Sequence, residues 1–271
     1  MDQAGGATLK SLHRNVKEGQ GWQAVIKPGD MKYLDLGVLR LDRTHAAWVG
    51  EAKRETVVLL TSGDCDVSVD DARPVRMSRR NVFDDLPWAI YLPGGHVAHL
   101  KARRATEFIV ATAPARKKNL PARVLGPKQT ECIKRGTGNI EREIRNLSVS
   151  SDATEHVVFG ETINGPGNWS SYPPHKHDTY DPPREYPLEE IYFFKLEPAQ
   201  GFGFQRVYTA DRKFDQTYLI ENNDVVFFRK GYHPVVAAGG YKLYYFWIIA
   251  GKTARLCFVD DPVHAWVKKM K

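Results

Sequence analysis

The sequence predicts an all-β protein built as two tandem β-barrels, and three observations carry that expectation. Short runs rich in Val, Ile, Tyr, Phe and Trp recur along the chain, punctuated by Gly, Pro, Asn and Asp. That is the composition of half-buried strands and their turns. The two halves also repeat one weak pattern: a Glu-headed strand, an Asp-containing turn, an apolar strand and a Gly-containing step to a histidine. It reads ETVVLL to LPGGHV from Glu55 to Val97, and EIYFFKL to RKGYHPV from Glu190 to Val235. Finally, a single helix is suggested, with Asn139 capping IEREIRNL and Ile140, Ile144 and Leu147 at helical spacing.

In chain order, the first thirty residues are polar and Gly-containing, loosely ordered or an early strand. The strands of the first barrel are then LDLGVLRL (34–41), TVVLL (56–60), CDVSV (65–69), WAIYL (88–92) and EFIVAT (107–112). Those of the second are HVVFG (156–160), EIYFFKL (190–196), GFQRVYT (203–209), TYLIE (217–221), DVVFF (224–228) and KLYYFWII (242–249). The domains expected are 1–118, a connector over 119–150 that carries Arg135, Arg142 and Arg145, and 151–271.

Length and composition suit a soluble chain with a substantial core. The longest apolar run, 243–250, is far too short to span a bilayer, and the N-terminus lacks an apolar secretory core. Three cysteines, Cys65, Cys132 and Cys257, form no CxxC pair, as expected of reduced thiols in a cytoplasmic protein. Net charge is +7, but the basic clusters (101–104, 116–118, 268–271) are short and scattered. They favour an encounter with small anions over a nucleic-acid face. Exposed barrel edges and the aromatic strand 242–249 make a homo-oligomer plausible.

The richest stretch runs from Tyr172 to His233. His175 and His177 form a His-x-His step whose side chains, two apart on an extended segment, point the same way. Glu190 heads the next apolar strand, with Tyr192 on its face, and His233 sits in a Gly-Tyr-His-Pro turn. Three imidazoles and one carboxylate converging at a barrel mouth suit a metal. The first half offers only Glu55, His96 and, upstream, His45, which read as structural or vestigial.

These residues resemble a known family. The His-x-His, the strand Glu and the turn His are similar to the two-part metal motif of the cupins, jelly-roll β-barrels. The strings SYPPHKHD, LEEIYFF, GFGFQRVYT and GYHPVVAAGGYKLYY resemble the 5-deoxy-glucuronate isomerase family of inositol catabolism. That family is related to 4-deoxy-L-threo-5-hexosulose-uronate ketol-isomerase. The likeness is dense over 165–252 and thinner over 30–115. Arg229-Lys230 departs from it, where a Val-Pro strand end is expected.

The resemblance implies two cupin barrels, the C-terminal one holding a divalent metal, zinc or manganese before iron or nickel. The implied ligands are His175, His177, Glu190 and His233; a one-residue slip in register would substitute Glu189 for Glu190. The implied reaction is aldose–ketose isomerisation of a small anionic sugar acid, 5-deoxy-D-glucuronate. A metal polarises the carbonyl, a base moves a proton between adjacent carbons, and a cation receives the carboxylate. Arg206 is the expected carboxylate partner, with Gln205, Tyr208 and Lys176 as further substrate contacts. Tyr192 can donate to a substrate oxygen, and Asp215, Asp178 or Lys176 could be the base. The rival readings are another uronate isomerase, a metal-dependent dioxygenase and a binding barrel with a structural metal.

Overall fold

The computed structural model describes residues 13–116, 120–148 and 153–269. Parts of the expected N-terminal segment and of two basic clusters, at 117–118 and 270–271, lie outside the described residues. The described chain is nearly all β, arranged as two units of facing sheets that remain open at their edges. Among the described residues, no helix is long and apolar enough to cross a membrane.

The spine of the first unit is the long strand Arg54–Val69. Its first half pairs with Trp88–Leu92 and Thr106–Pro114, its second with Val75–Arg79 and Ala98–Ala102. A register shift between Leu60 and Ser62 lets one strand serve both sheets, as β-bulges do at sheet corners. Gly63 follows with φ +125°, and a Cβ there would meet Thr106 Oγ1 at 2.4 Å. Val58, Leu60, Val67, Met77, Leu100 and Phe108 fill the space between the sheets.

In the second unit a seven-stranded sheet runs His13–Asn15, Asp224–Phe228, Leu188–Glu197, Lys242–Gly251, Val157–Asn164, Arg142–Ser148, Glu131–Arg135. A smaller sheet, Trp169–Ser170, Val235–Ala237, Gly203–Tyr208 and Asp215–Ile220, shares its core through Val207, Ile220 and Val235.

Two expectations change here. Residues 139–147 are not a helix: a single 3-10 turn at Gly138–Ile140 leads into the strand Arg142–Ser148. The apolar residues of IEREIRNL fit the helical period, and sheet neighbours on both sides override it. Nor is 119–150 a free connector. Arg123–Leu125 closes onto Trp88–Leu92 of the first unit, and 131–148 supplies two strands of the second.

The units hold each other through buried glutamates. Glu55 accepts the backbone N–H of Glu155 at 3.0 Å and of His156 at 2.7 Å, with the Tyr91 hydroxyl at 2.8 Å. Reciprocally, Glu189 accepts the N–H groups of Lys32, Tyr33 and Leu34 at 2.6 to 2.9 Å. Glu55 is therefore the counterpart of Glu189, and the sequence alignment of Glu55 with Glu190 is one residue off. The position matching Glu190 is Thr56, since each opens the pairing with the following strand, Thr56 with Leu92 and Glu190 with Phe228.

A third link is Arg79–Glu161, 2.7 Å apart with neither side chain exposed. Tyr244 Oη donates to Glu161 at 2.6 Å, and Arg79 also donates to the carbonyls of Leu60 and Asp85. Removing one partner of such a pair strands the other charge. Glu161→Ala is expected to lower unfolding free energy by about 3–5 kcal/mol in urea titrations. The double replacement Arg79→Met with Glu161→Leu should cost less than the single one.

Candidate metal centre

The inward face of the strand Leu188–Glu197 carries Glu190 and Tyr192, because alternate residues share a face. The short strand His175–Lys176 pairs with Val259–Asp260, and the Leu188 N–H donates to the His177 carbonyl at 2.9 Å. These bonds bring the His-x-His step beside Glu190. His233 arrives from the turn that opens at Gly231, whose φ of +103° and close approach to the Tyr208 carbonyl demand glycine.

His177, Glu190 and His233 are buried, each with a donor atom within 4.8 Å of the others'. The tautomers follow from the backbone. His177 Nδ1 lies 3.0 Å from the Leu188 carbonyl, and His233 Nδ1 lies 3.0 Å from that of Gly231. A carbonyl only accepts, so both Nδ1 atoms carry the proton and both Nε2 lone pairs face inward. There they meet Glu190 Oε2, at 3.0 Å from His177 and 3.3 Å from His233.

Two lone pairs facing a carboxylate oxygen repel unless a cation stands among them. A proton answers in part: burial disfavours the His177 cation, but the Glu190 carboxylate outweighs it and raises its pKa. Burial pushes His233 down to about 4, leaving its Nε2 without a hydrogen-bond partner. The donor set, with Nδ1 of each ring fixed by a carbonyl, fits a divalent metal. His175 stands next to this trio, its ring 4.8 Å from that of His233 and 6.5 Å from that of His177. Phe258 covers it at 4.4 Å, and burial holds its pKa well below the usual imidazole value.

His177 and Glu190, together with His175, line a cavity of about 830 Å³, of the size that holds a small ligand. Tyr192 lines it, its hydroxyl 3.0 Å from Ser171 Oγ, and Tyr245 stacks on Tyr192 at 4.5 Å. Burial and the adjacent Glu190 keep the Tyr192 phenol protonated far above neutral pH. Thr162, Arg142 and Arg135 continue the wall across the sheet, and Phe258, Asp260 and Lys268 close one side.

Several residues expected in the site lie elsewhere. Arg206 and Asp215 pair with each other, at 2.7 and 2.5 Å, on the outer face of their hairpin. Lys176 points away from its flanking histidines and joins Asp178 and Glu185. Asp178 also accepts the Gly231 N–H, bracing the His233 turn. The Tyr208 hydroxyl is committed to Asp261 at 2.8 Å, and Gln205 is buried behind His233, its Nε2 3.5 Å from the His233 carbonyl. None of the six lines the cavity. Arg229 donates to the Asp30 carbonyl at 2.7 Å, a contact between units. His96 pairs with Asp70 and His45 with Asp42, both at the surface, so neither joins Glu55.

The sequence reading did not place Tyr245, Thr162 or Ser171 in the site and left Arg142 open. The continuous apolar run 243–250 carries no alternation that would single out the face of Tyr245, and the helical period of 139–147 concealed Arg142.

A model of the KduI/IolB family matches residues 9–267. The chain belongs to that family. KduI/IolB relatives include the 5-deoxy-glucuronate isomerase of Geobacillus thermodenitrificans, 35% identical with 96% of each chain covered. That of Geobacillus kaustophilus is 40% identical, covering 80% of this chain and 79% of its own. Among solved structures, an IolB-like protein from Salmonella typhimurium superposes with a TM-score of 0.90 at 31% identity, over 95% of this chain and 99% of that one. Oxalate decarboxylase of Bacillus subtilis, a cupin, shares the fold at TM-score 0.65 and 14% identity, over 93% and 80%. This KduI/IolB chain therefore has the bicupin architecture, a tandem of jelly-roll units.

Glu189 and Glu190 separate experimentally. Glu190→Gln and His233→Ala are each expected to lose bound metal, read by elemental analysis. Glu189→Gln should keep its metal while lowering thermal stability.

Proposed function

We propose that this protein is a metal-dependent aldose–ketose isomerase converting 5-deoxy-D-glucuronate to 5-dehydro-2-deoxy-D-gluconate in inositol catabolism. The observation that carries the reading is the buried Glu190 carboxylate faced by two imidazole lone pairs at the head of a sugar-sized cavity. Family membership and the names of the curated relatives support the same reaction. His177, Glu190 and His233 would hold the metal, with His175 as the fourth ligand and zinc or manganese as the ion. Bound there, a divalent cation supplies Lewis-acid polarisation of a carbonyl oxygen.

The chain's own residues supply orientation and proton control. Tyr192, protonated and hydrogen-bonded to Ser171, presents a phenolic donor next to Glu190 and stabilises negative charge growing on a substrate oxygen. Tyr245 fixes that phenol by stacking and is itself anchored to Ser170 Oγ at 2.9 Å. Phe258 covers the His175 side of the cavity and keeps bulk water from the exchanging proton.

Purified, metal-loaded protein should isomerise 5-deoxy-glucuronate with oxygen uptake at background. No conversion, together with oxygen consumption on another acid, would move the reading to a dioxygenase. Tyr192→Phe is expected to lower kcat about 100-fold with metal content unchanged.

A further inference from the structure

Three arginines are buried among the described residues, Arg79, Arg142 and Arg145. Two of them share Glu161, at 2.7 Å from Arg79 and 3.7 Å from Arg145. Arg142 differs. Its guanidinium donates to the Ile140 carbonyl at 3.1 Å, and among the described residues no carboxylate pairs with it. Its cross-strand neighbour is another cation, Arg135, which also lines the cavity. Burial, with Arg135 adding to it, presses the Arg142 pKa down, the mark of a charge lacking its counterion. An unpaired buried cation costs stability, and folds retain one chiefly where an anion arrives.

We infer that Arg142 receives the carboxylate of the sugar-acid substrate, the role that the sequence suggested for Arg206. Arg206 is already spent on two bonds to Asp215 outside the cavity. Arg142 lies on the same sheet face as Glu190 and Tyr192, reached through Tyr245 and Thr162. The strands of Glu190 and Arg142 are three steps apart in the sheet, about 14 Å across the strands, and the register sets Arg142 six residues further along, about 20 Å. Both nevertheless line one cavity, and the Arg142 guanidinium reaches back near enough to Tyr192 and His175 for their charges to interact. The substrate then lies across the sheet, its carbonyl end at the imidazoles and its acid end at Arg142. The Thr162 hydroxyl, between the two, faces the middle of the chain.

The inference rests on the isomerase reading for the identity of the acid, so the test separates the two. In steady-state assays, Arg142→Met should raise KM for 5-deoxy-glucuronate about 10- to 100-fold, the loss of a charge-assisted hydrogen-bond pair. Metal content should stay at the wild-type level, and Arg142→Lys should recover part of the affinity. An unchanged KM in Arg142→Met would overturn the assignment while leaving the isomerase reading intact. The second measurement needs no variant and no turnover. Calorimetry on metal-loaded wild-type protein compares gluconate with glucitol, which lacks the carboxylate. Tighter binding of gluconate, weakening with salt, supports the site even if 5-deoxy-glucuronate is not turned over. Equal binding of the two overturns the site, and covers the case in which Arg142→Met fails to fold.

Discussion

Adjacent residues on a strand face opposite ways, and at Glu189–Glu190 that constraint joins the architecture to the chemistry. Glu189 turns toward the first unit and takes three backbone N–H groups from Lys32, Tyr33 and Leu34. Glu190 then has to turn into the second unit, toward His177 and His233. A one-residue slip would exchange the two carboxylates, leaving three N–H donors unpaired and the imidazoles without an anion. The contact between units thus pins the register on which the candidate centre depends. This gives the first unit a structural task although it carries no comparable donor cluster among the described residues.

Duplication explains the form of that contact. Glu55 does for the second unit what Glu189 does for the first, accepting N–H groups from Glu155 and His156. Burial raises the pKa of both glutamates, and hydrogen bonds from their partners oppose it. Where the second unit places Glu190, the first has Thr56, buried with its hydroxyl unpartnered. Thr56 offers no charge to gather a metal, and His96 and His45 pair with surface carboxylates.

Much of this was legible in the sequence. Aromatic and β-branched runs mark most strands, and three of the four expected donors, His177, Glu190 and His233, come together with His175 beside them. What escaped depended on partners distant in sequence. The stretch 140–147 carries a helical period, and pairing with the flanking strands Glu131–Arg135 and Val157–Asn164 overrides it. The opposed facing of Gln205 and Arg206 was readable, but not which side is inside. The structure places Gln205 within the barrel and gives Arg206 to Asp215.

The same reasoning says why a basic protein handles an acidic sugar at a site that itself contains a buried carboxylate. Glu190 alone would repel an approaching uronate, and its charge is offset locally by whatever cation the imidazoles help to hold. Across the sheet, Arg142 and Arg135 present positive charge with no acidic partner among the described residues, whereas Lys268 is paired with Asp260 at 2.5 Å. The cavity is therefore polarised along the sheet: lone-pair donors at one end, uncompensated guanidinium groups at the other, and neutral hydroxyls of Thr162, Tyr245 and Tyr192 between them. In a low-dielectric enclosure that gradient orients a molecule bearing a carbonyl at one end and a carboxylate at the other. Reversed entry would set the substrate carboxylate against Glu190 and leave Arg142 unpaired. Orientation and acid recognition are then one property of a single sheet face.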